Sequence, residues 1–249
     1  MDKTTRKVML SGMAAVMLVS CGAAKKSGQS DAGKIVMGNM EETDSGYLIL
    51  SDAQRELLAK NNTFALNLFN KVSGMDSRVI SPLSVTGLMT ILSNGADGET
   101  RQEILNTLGF SGASQDEINA LYGYLIKKAG RLDPATNINI ADYIAVNKNF
   151  KVKKEFEQTV SDWFKAEAEN LDFTSSKTAG IINGWCSKHT YGMIPKVIDN
   201  VEPSAVAYLM NAIYFNGSWA EKFDAKETKV ERFRGYTRDI KKVKMMHRN

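Results

Sequence analysis

The sequence predicts a mixed α+β fold, because segments with helical periodicity lie beside segments with the pattern of strands. Between residues 51 and 190, apolar side chains recur in several segments at the 3.6-residue spacing of a helix with one buried face. Residues 138–146 have the composition of a strand. Residues 205–215 are apolar almost throughout, which is typical of a strand covered on both faces. The chain has 249 residues, 43% of them hydrophobic, so a substantial core can be buried.

Local capping signals place the starts of the helices. Ser51 with Gln54, and Ser114 with Glu117, have the spacing of a capping box, in which side chain and backbone cap each other reciprocally. Ser81 can cap a helix whose first position is a proline. We expect six helices: after Ser51 and before Gly74, between Pro82 and Gly95, over about residues 99–108, after Ser114 and before Gly130, through Phe156 and Phe164, and over residues 178–190. Two further short strands are expected, at residues 78–80 and, as an edge strand, near residues 168–173.

The N-terminus has the pattern of an export signal. Basic residues precede an apolar run over residues 8–19 that is too short to span a bilayer as a helix. Leu18, Val19, Ser20 and Cys21 resemble the lipobox of bacterial lipoproteins, which implies cleavage before Cys21 and its acylation. An ordinary secretory signal with an incidental cysteine is the alternative. We therefore expect a signal peptide over residues 1–20, a flexible tether over 21–50 and a folded domain over 51–249.

Charge and cysteine content exclude several classes of protein. The formal net charge is only +4, and part of the basic excess lies in the segment expected to be removed, so no nucleic-acid partner is expected. Two cysteines are too few for a disulfide scaffold or a thiolate zinc finger. No cofactor is expected from any motif in the sequence.

Candidate catalytic and metal-binding residues are few. Cys186 and His189 lie three residues apart on neighbouring faces of a predicted helix, but a cysteine hydrolase also needs an orienting group and an oxyanion site. We favour a buried structural thiol and therefore predict that the protein is not an enzyme. Since His189 and His247 are the only histidines, a histidine-based metal site is not expected.

Two further segments have compositions that suggest ligands. Residues 28–35 nearly match a phosphate-binding loop, but Ile35 replaces the hydroxyl residue that would bind magnesium and no strand precedes the segment. The basic run Lys241, Lys242, Val243 and Lys244 is compatible with binding a polyanion. We favour a solvated strand face, because short runs of charge generally just face water.

Several separated blocks together resemble one family, the serpins. The blocks follow the family's order from residue 51 to residue 249, and the last is the most specific. They are NTFA at 62–65 with Leu68 and Phe69, VISPLSV at 79–85, GET at 98–100 followed by Ile104, Leu105, Leu108, Gly109 and Phe110, INGW at 182–185 with TYGMI at 190–194, and LMNAIYFNGSW at 209–219 followed by Phe223, Thr228, Phe233 and VKMM at 243–246.

The resemblance implies an inhibitor of serine proteases, or of papain-like cysteine proteases, that acts as a suicide substrate. A protease cuts an exposed reactive-centre loop, which then inserts into the main sheet and traps the enzyme. Ser81, Ser84 and Asn211 match polar residues of the shutter, the region where that sheet opens. Trp219 matches the aromatic residue of the breach, where insertion begins. Because Asn211 is strongly polar within an apolar strand, its amide needs hydrogen-bond partners, which the two serines can supply.

The sequence departs from the family pattern at its end. No segment resembles the family's small-residue hinge or reactive-centre loop, so we expect an incomplete serpin fold without the C-terminal third. The strand through Asn211 is then expected to have one unpaired edge. The chain as given is predicted to be non-inhibitory, with inhibition expected of the intact relative. The alternative is a non-inhibitory serpin-like binding lipoprotein, and either form is expected to be anchored to the bacterial cell envelope, facing the periplasm or the exterior.

Overall fold

The computed structural model describes residues 13–17, 48–74, 78–236 and 238–248. For residues 13–17 it describes the backbone pairing alone. The other residues of the predicted signal peptide, and the predicted tether up to residue 47, lie outside the described residues, as does the segment that resembles a phosphate loop. The boundaries predicted at residues 20 and 21 therefore stay predictions.

The described residues form six α-helices, close to the six that the sequence predicts. Both capping boxes are present: the Oγ atoms of Ser51 and Ser114 each accept the backbone N–H of the third helical residue, and each serine backbone N–H donates to the side chain of that residue. Ser81 caps the second helix and Pro82 occupies its first position. The helices are α1 (Asp52–Val72), α2 (Pro82–Gly95), α3 (Gly98–Thr107), α4 (Gln115–Ala129), α5 (Lys154–Phe164) and α6 (Thr178–His189).

Six strands form two sheets in the described part of the chain. The larger sheet has the strand order β1-β4-β2-β3, in which only the β2–β3 pair is parallel. The smaller sheet is the antiparallel pair β5–β6. The strands are β1 (Met13–Met17), β2 (Thr136–Asn147), β3 (Glu167–Leu171), β4 (Ala207–Gly217), β5 (Lys229–Arg234) and β6 (Ile240–Met245). β3 is an edge strand, as expected, whereas residues 78–80 form no strand.

Strand β4 has a neighbour on each side, which contradicts the expected unpaired edge. On one side it pairs with β2 from Thr136–Gly217 to Val146–Ala207. On the other side it pairs with β1, whose Ala14 is opposite Asn211. The expectation was wrong because β1 lies within the predicted signal peptide, a segment we assigned to export and not to the folded domain.

Helices cover both faces of the larger sheet, as the apolar run of β4 predicts. On one face, Trp185 and Cys186 of α6 pack with Tyr208 and Met210. On the other face, apolar residues of α2, α4 and α5 pack against Ile144, Val146 and Leu209. A third cluster joins α1, α3 and α4 through residues that include Leu57, Leu105, Leu108, Ile118 and Leu121. Burial of each such side chain contributes about 1.5–3 kcal/mol, so this layering holds β4 firmly in the middle of the domain.

Candidate functional site

The candidate site lies at the middle of the antiparallel pair β2–β4, on the face that α2 covers. Asp142 on β2 is the register partner of Asn211 on β4. Side chains alternate between the two faces of a strand, so both point to the face that carries Ile144 and Leu209. Asp142 is 1% exposed and Asn211 is 0% exposed. Two polar side chains are therefore enclosed in an apolar layer, where each needs a partner.

The two side chains bond to each other, but only half of their polar atoms are satisfied. The Asn211 Nδ2 donates to Asp142 Oδ1 at 2.8 Å. Asp142 Oδ2 and Asn211 Oδ1 are both buried and have no hydrogen-bond partner among the described residues. Burial raises the pKa of Asp142 to about 7, against a smaller lowering by the Asn211 bond. The expected polar partner of Asn211 is thus present, but it is an acid on β2.

Helix α2 approaches the side chain of Tyr122, a buried residue of α4, closely through a glycine. A side chain at position 87 would overlap the hydroxyl group of Tyr122. Burial, followed by the charge of Asp142, raises the pKa of Tyr122 well above its ordinary value, so its hydroxyl stays protonated. That hydroxyl is also without a hydrogen-bond partner among the described residues. Gly87 therefore creates the space into which Tyr122 extends.

The predicted shutter serines lie at the start of α2 and bond to one another. Ser84 is fully buried and its Oγ donates to Ser81 Oγ at 2.8 Å. Ser81 also accepts the Ser84 backbone N–H at 3.3 Å, the bond of an N-cap. Within the described residues neither serine bonds to Asn211. Helix capping is thus the observed role of Ser81, and the shutter assignment of Ser81, Ser84 and Asn211 stays a prediction.

Trp219, the predicted breach residue, follows the end of β4 and is 51% exposed. Its ring meets Phe223 edge-on, with centroids 5.4 Å apart. In the described part of the chain Trp219 is therefore not a buried core residue, because about half of its surface faces solvent. Its role at the breach stays a prediction.

The Cys186–His189 pair has the environment of core residues. Cys186 is 0% exposed, and burial raises the pKa of its thiol to about 11, whereas a nucleophilic cysteine needs a lowered pKa. His189 stacks on Trp185 with ring centroids 4.6 Å apart. Desolvation lowers the pKa of His189 although Glu167 lies 3.1 Å from its Nε2. This geometry supports the structural interpretation of both residues.

The remaining candidates lie on the surface of the hairpin β5–β6. His247 Nε2 lies 2.7 Å from Glu231 Oε1. Lys241, Lys242 and Lys244 are exposed on β6, and Lys242 is opposite Arg232 in the register. Among the described residues no cluster of three or more His, Cys, Asp or Glu has the geometry of a metal site. In the same part of the chain, no helix combines the length and hydropathy needed to cross a bilayer.

Asp142 is the residue of this site that the sequence reasoning missed. A signal was present, since Asp142 interrupts the alternating series Ile138, Ile140, Ile144 and Val146 on one face of a strand. A charged residue in that series requires a specific partner. The predicted lipidation site, Cys21, lies outside the described residues.

Comparison with known proteins identifies the family. Residues 59–249 match the family model described as Serpin (serine protease inhibitor). The match covers more than half of the chain, so the chain belongs to the serpin family. Its helices and sheets form part of the serpin fold.

Individual relatives agree with this assignment. Rat alpha-1-antiproteinase is 28% identical over 214 residues, which are 84% of this chain and 52% of the rat protein. The thermophilic serpin tengpin in its latent state aligns with a TM-score of 0.69 and 28% identity, covering 78% of this chain and 52% of tengpin. Human thyroxine-binding globulin aligns with a TM-score of 0.70 and 26% identity, covering 78% of this chain and 54% of the globulin. The chain thus spans about half the length of these relatives.

Proposed function

We propose that this chain is the sheet-opening part of a serpin-type inhibitor of serine or papain-like cysteine proteases. The observation that carries the proposal is the match of residues 59–249 to a family of serine protease inhibitors. In such a mechanism a cleaved loop enters the main sheet as an extra strand. Strand β4, covered on both faces and carrying Asn211 at its middle, supports a role as one side of that opening.

The 249 residues by themselves are proposed to be non-inhibitory, since no segment among them resembles a reactive-centre loop. The test compares two products: the 249-residue chain, and the product of its gene read through whatever coding sequence follows the codon for Asn249. Each is incubated with trypsin, chymotrypsin and papain. A protease complex that survives denaturing electrophoresis, formed by the longer product alone, is expected. Rapid cleavage of the longer product without any stable complex contradicts the proposal.

We further propose that the protein is exported and anchored to the bacterial cell envelope by lipid at Cys21. The basic start, the apolar run over residues 8–19 and the lipobox-like residues 18–21 support this proposal. Multiple acylation makes such an anchor durable, because one acyl chain binds a membrane only marginally. Replacement Cys21→Ser should move the protein from the membrane fraction to the soluble fraction. Membrane retention of Cys21→Ser, with Cys186→Ser as the matched cysteine control, contradicts lipidation.

One observation favours a second candidate, a non-inhibitory binding protein. A cavity of about 430 Å³ has an almost wholly apolar lining that includes Ile80, Leu125, Ile140 and Phe215. A volume of this order suits a small apolar ligand. Saturable binding of a hydrophobic fluorescent probe, weakened by Leu125→Gln, together with no stable protease complex of the longer product, favours this candidate.

A further inference from the structure

The buried pair Asp142–Asn211 contains an unmatched set of hydrogen-bonding atoms. An ionised carboxylate only accepts, and an amide offers one acceptor oxygen and one donor nitrogen. The single bond from Asn211 Nδ2 to Asp142 Oδ1 therefore leaves two acceptors, Asp142 Oδ2 and Asn211 Oδ1, on register partners that face the same side of the sheet. Two buried acceptors without a donor are each costly, by about 1–3 kcal/mol.

We propose that Asp142 carries a proton in the folded chain, and that this proton closes a reciprocal pair of hydrogen bonds with the side chain of Asn211. The amide nitrogen donates to one carboxyl oxygen, and the protonated carboxyl oxygen donates to the amide oxygen. One proton, taken from solvent as the chain folds, thereby satisfies both acceptors. The pair then joins β2 to β4 as a neutral unit, and its ionisation above neutral pH weakens this junction.

The surroundings of Asp142 favour the neutral form. From α4 the titratable group facing it is the Tyr122 hydroxyl, and the two groups interact electrostatically. Helix α2 carries no Asp, Glu, Lys, Arg or His at all, and neither do β1 and β4. The nearest β2 residues on this face and the α5 residues of the same core cluster are apolar: Ile138, Ile140, Ile144, Val146, Phe156, Val160 and Phe164. No cation among the described residues forms an ion pair with Asp142, so only the hydrogen bond from Asn211 offsets part of the cost of burying its charge.

The sign of the pH dependence follows from which state holds the proton. The pKa of Asp142 is about 7 in the folded chain and 3.8 as an ordinary aspartate. Between these values the folded chain binds the proton and the unfolded chain does not, so the free energy of unfolding falls as pH rises and levels off above neutrality. From about pH 5 to about pH 8, the ratio of folded to unfolded protein should fall roughly 100-fold through this group.

The test measures denaturant unfolding of the full chain across this pH range for the native protein, Asp142→Asn and Asp172→Asn. Asparagine at position 142 keeps the size and can pair with Asn211 without a proton, so this variant should lose the roughly 100-fold fall. Asp172 is the matched control, because it bonds to Lys148 at the surface and its pKa is lowered to about 2. Asp172→Asn should keep the fall. The same profile in the native protein and Asp142→Asn overturns the proposal.

A second measurement needs no variant. In the native protein, the side-chain carboxyl carbons of the aspartates are followed by NMR as a function of pH. One aspartate should titrate near neutrality, whereas ordinary aspartates titrate near pH 4. Absence of any carboxyl carbon that titrates above about pH 6 overturns the proposal, whether or not Asp142→Asn folds.

Discussion

At the scale of single residues, Gly87 of α2 lies directly against the side chain of Tyr122 of α4. The Tyr122 ring is held from another side by Phe164, with ring centroids 5.4 Å apart, and the residue is 3% exposed. The ring therefore has little room to move away from the helix. Because glycine ordinarily weakens a helix interior, its presence in α2 is explained by this close approach.

Replacement Gly87→Ala should destabilise the protein by about 1–3 kcal/mol, because the new methyl group would overlap the Tyr122 hydroxyl. The gain in helix propensity of about 1 kcal/mol offsets only part of this cost. Gly184→Ala in α6 is the control, since a Cβ at Gly184 meets nothing within 4 Å. Gly184→Ala should be neutral or stabilising in denaturant unfolding, and equal stabilities for the two variants would contradict this account.

At single residues, local contacts could be predicted from the sequence, whereas a contact between distant strands could not. Ser51, Ser81 and Ser114 were predicted as caps, and the prediction is confirmed because a cap depends on residues within one helical turn. That Asn211 needs a partner was also predictable. The identity of the partner was not, since Asp142 is 69 residues away and meets it only through the β2–β4 register.

At the scale of elements, α6 depends on the loop that follows it. Asn183 lies on α6, where its Oδ1 accepts the backbone N–H groups of Val197 and Ile198 and its Nδ2 donates to Ile198 O at 2.8 Å. Val197 and Ile198 in turn pack against the core beneath α6. One side chain thus fixes a loop whose apolar residues help to cover the sheet.

Replacement Asn183→Ala should lower the free energy of unfolding by about 2–3 kcal/mol, because three bonds are lost and two backbone N–H groups lose their acceptor. Hydrogen exchange of the Val197 and Ile198 amides should also quicken. Asn200→Ala, at an exposed position of the same loop, is the matched control and should leave both measurements unchanged. Unaltered amide protection in Asn183→Ala would show that the loop is held by packing alone.

At the scale of the whole molecule, the inner strand β4 of the larger sheet pairs with β1, which lies in the predicted signal peptide. The sequence predicted that β4 is covered on both faces, because a strand that is apolar almost throughout is typical of one packed between two layers. It did not predict the neighbour across the β4 edge, because pairing with β1 joins segments nearly 200 residues apart (Met13 with Ala212). If residues 1–20 are removed during export, as proposed, β1 is removed with them and this edge of β4 loses its partner.

A chain that begins at Cys21 should therefore exchange the backbone amides of β4 faster than the full chain does. The amides of an antiparallel strand point alternately to its two neighbours, so about half of those in the part of β4 paired with β1 should lose protection. The β2–β3 pair does not involve β1, and the amides in that pair should exchange equally in both chains. Mass spectrometry of peptic fragments measures amide exchange in β4 and in the β2–β3 pair in one experiment. Full protection of β4 in the shorter chain would mean that another segment replaces β1 at that edge.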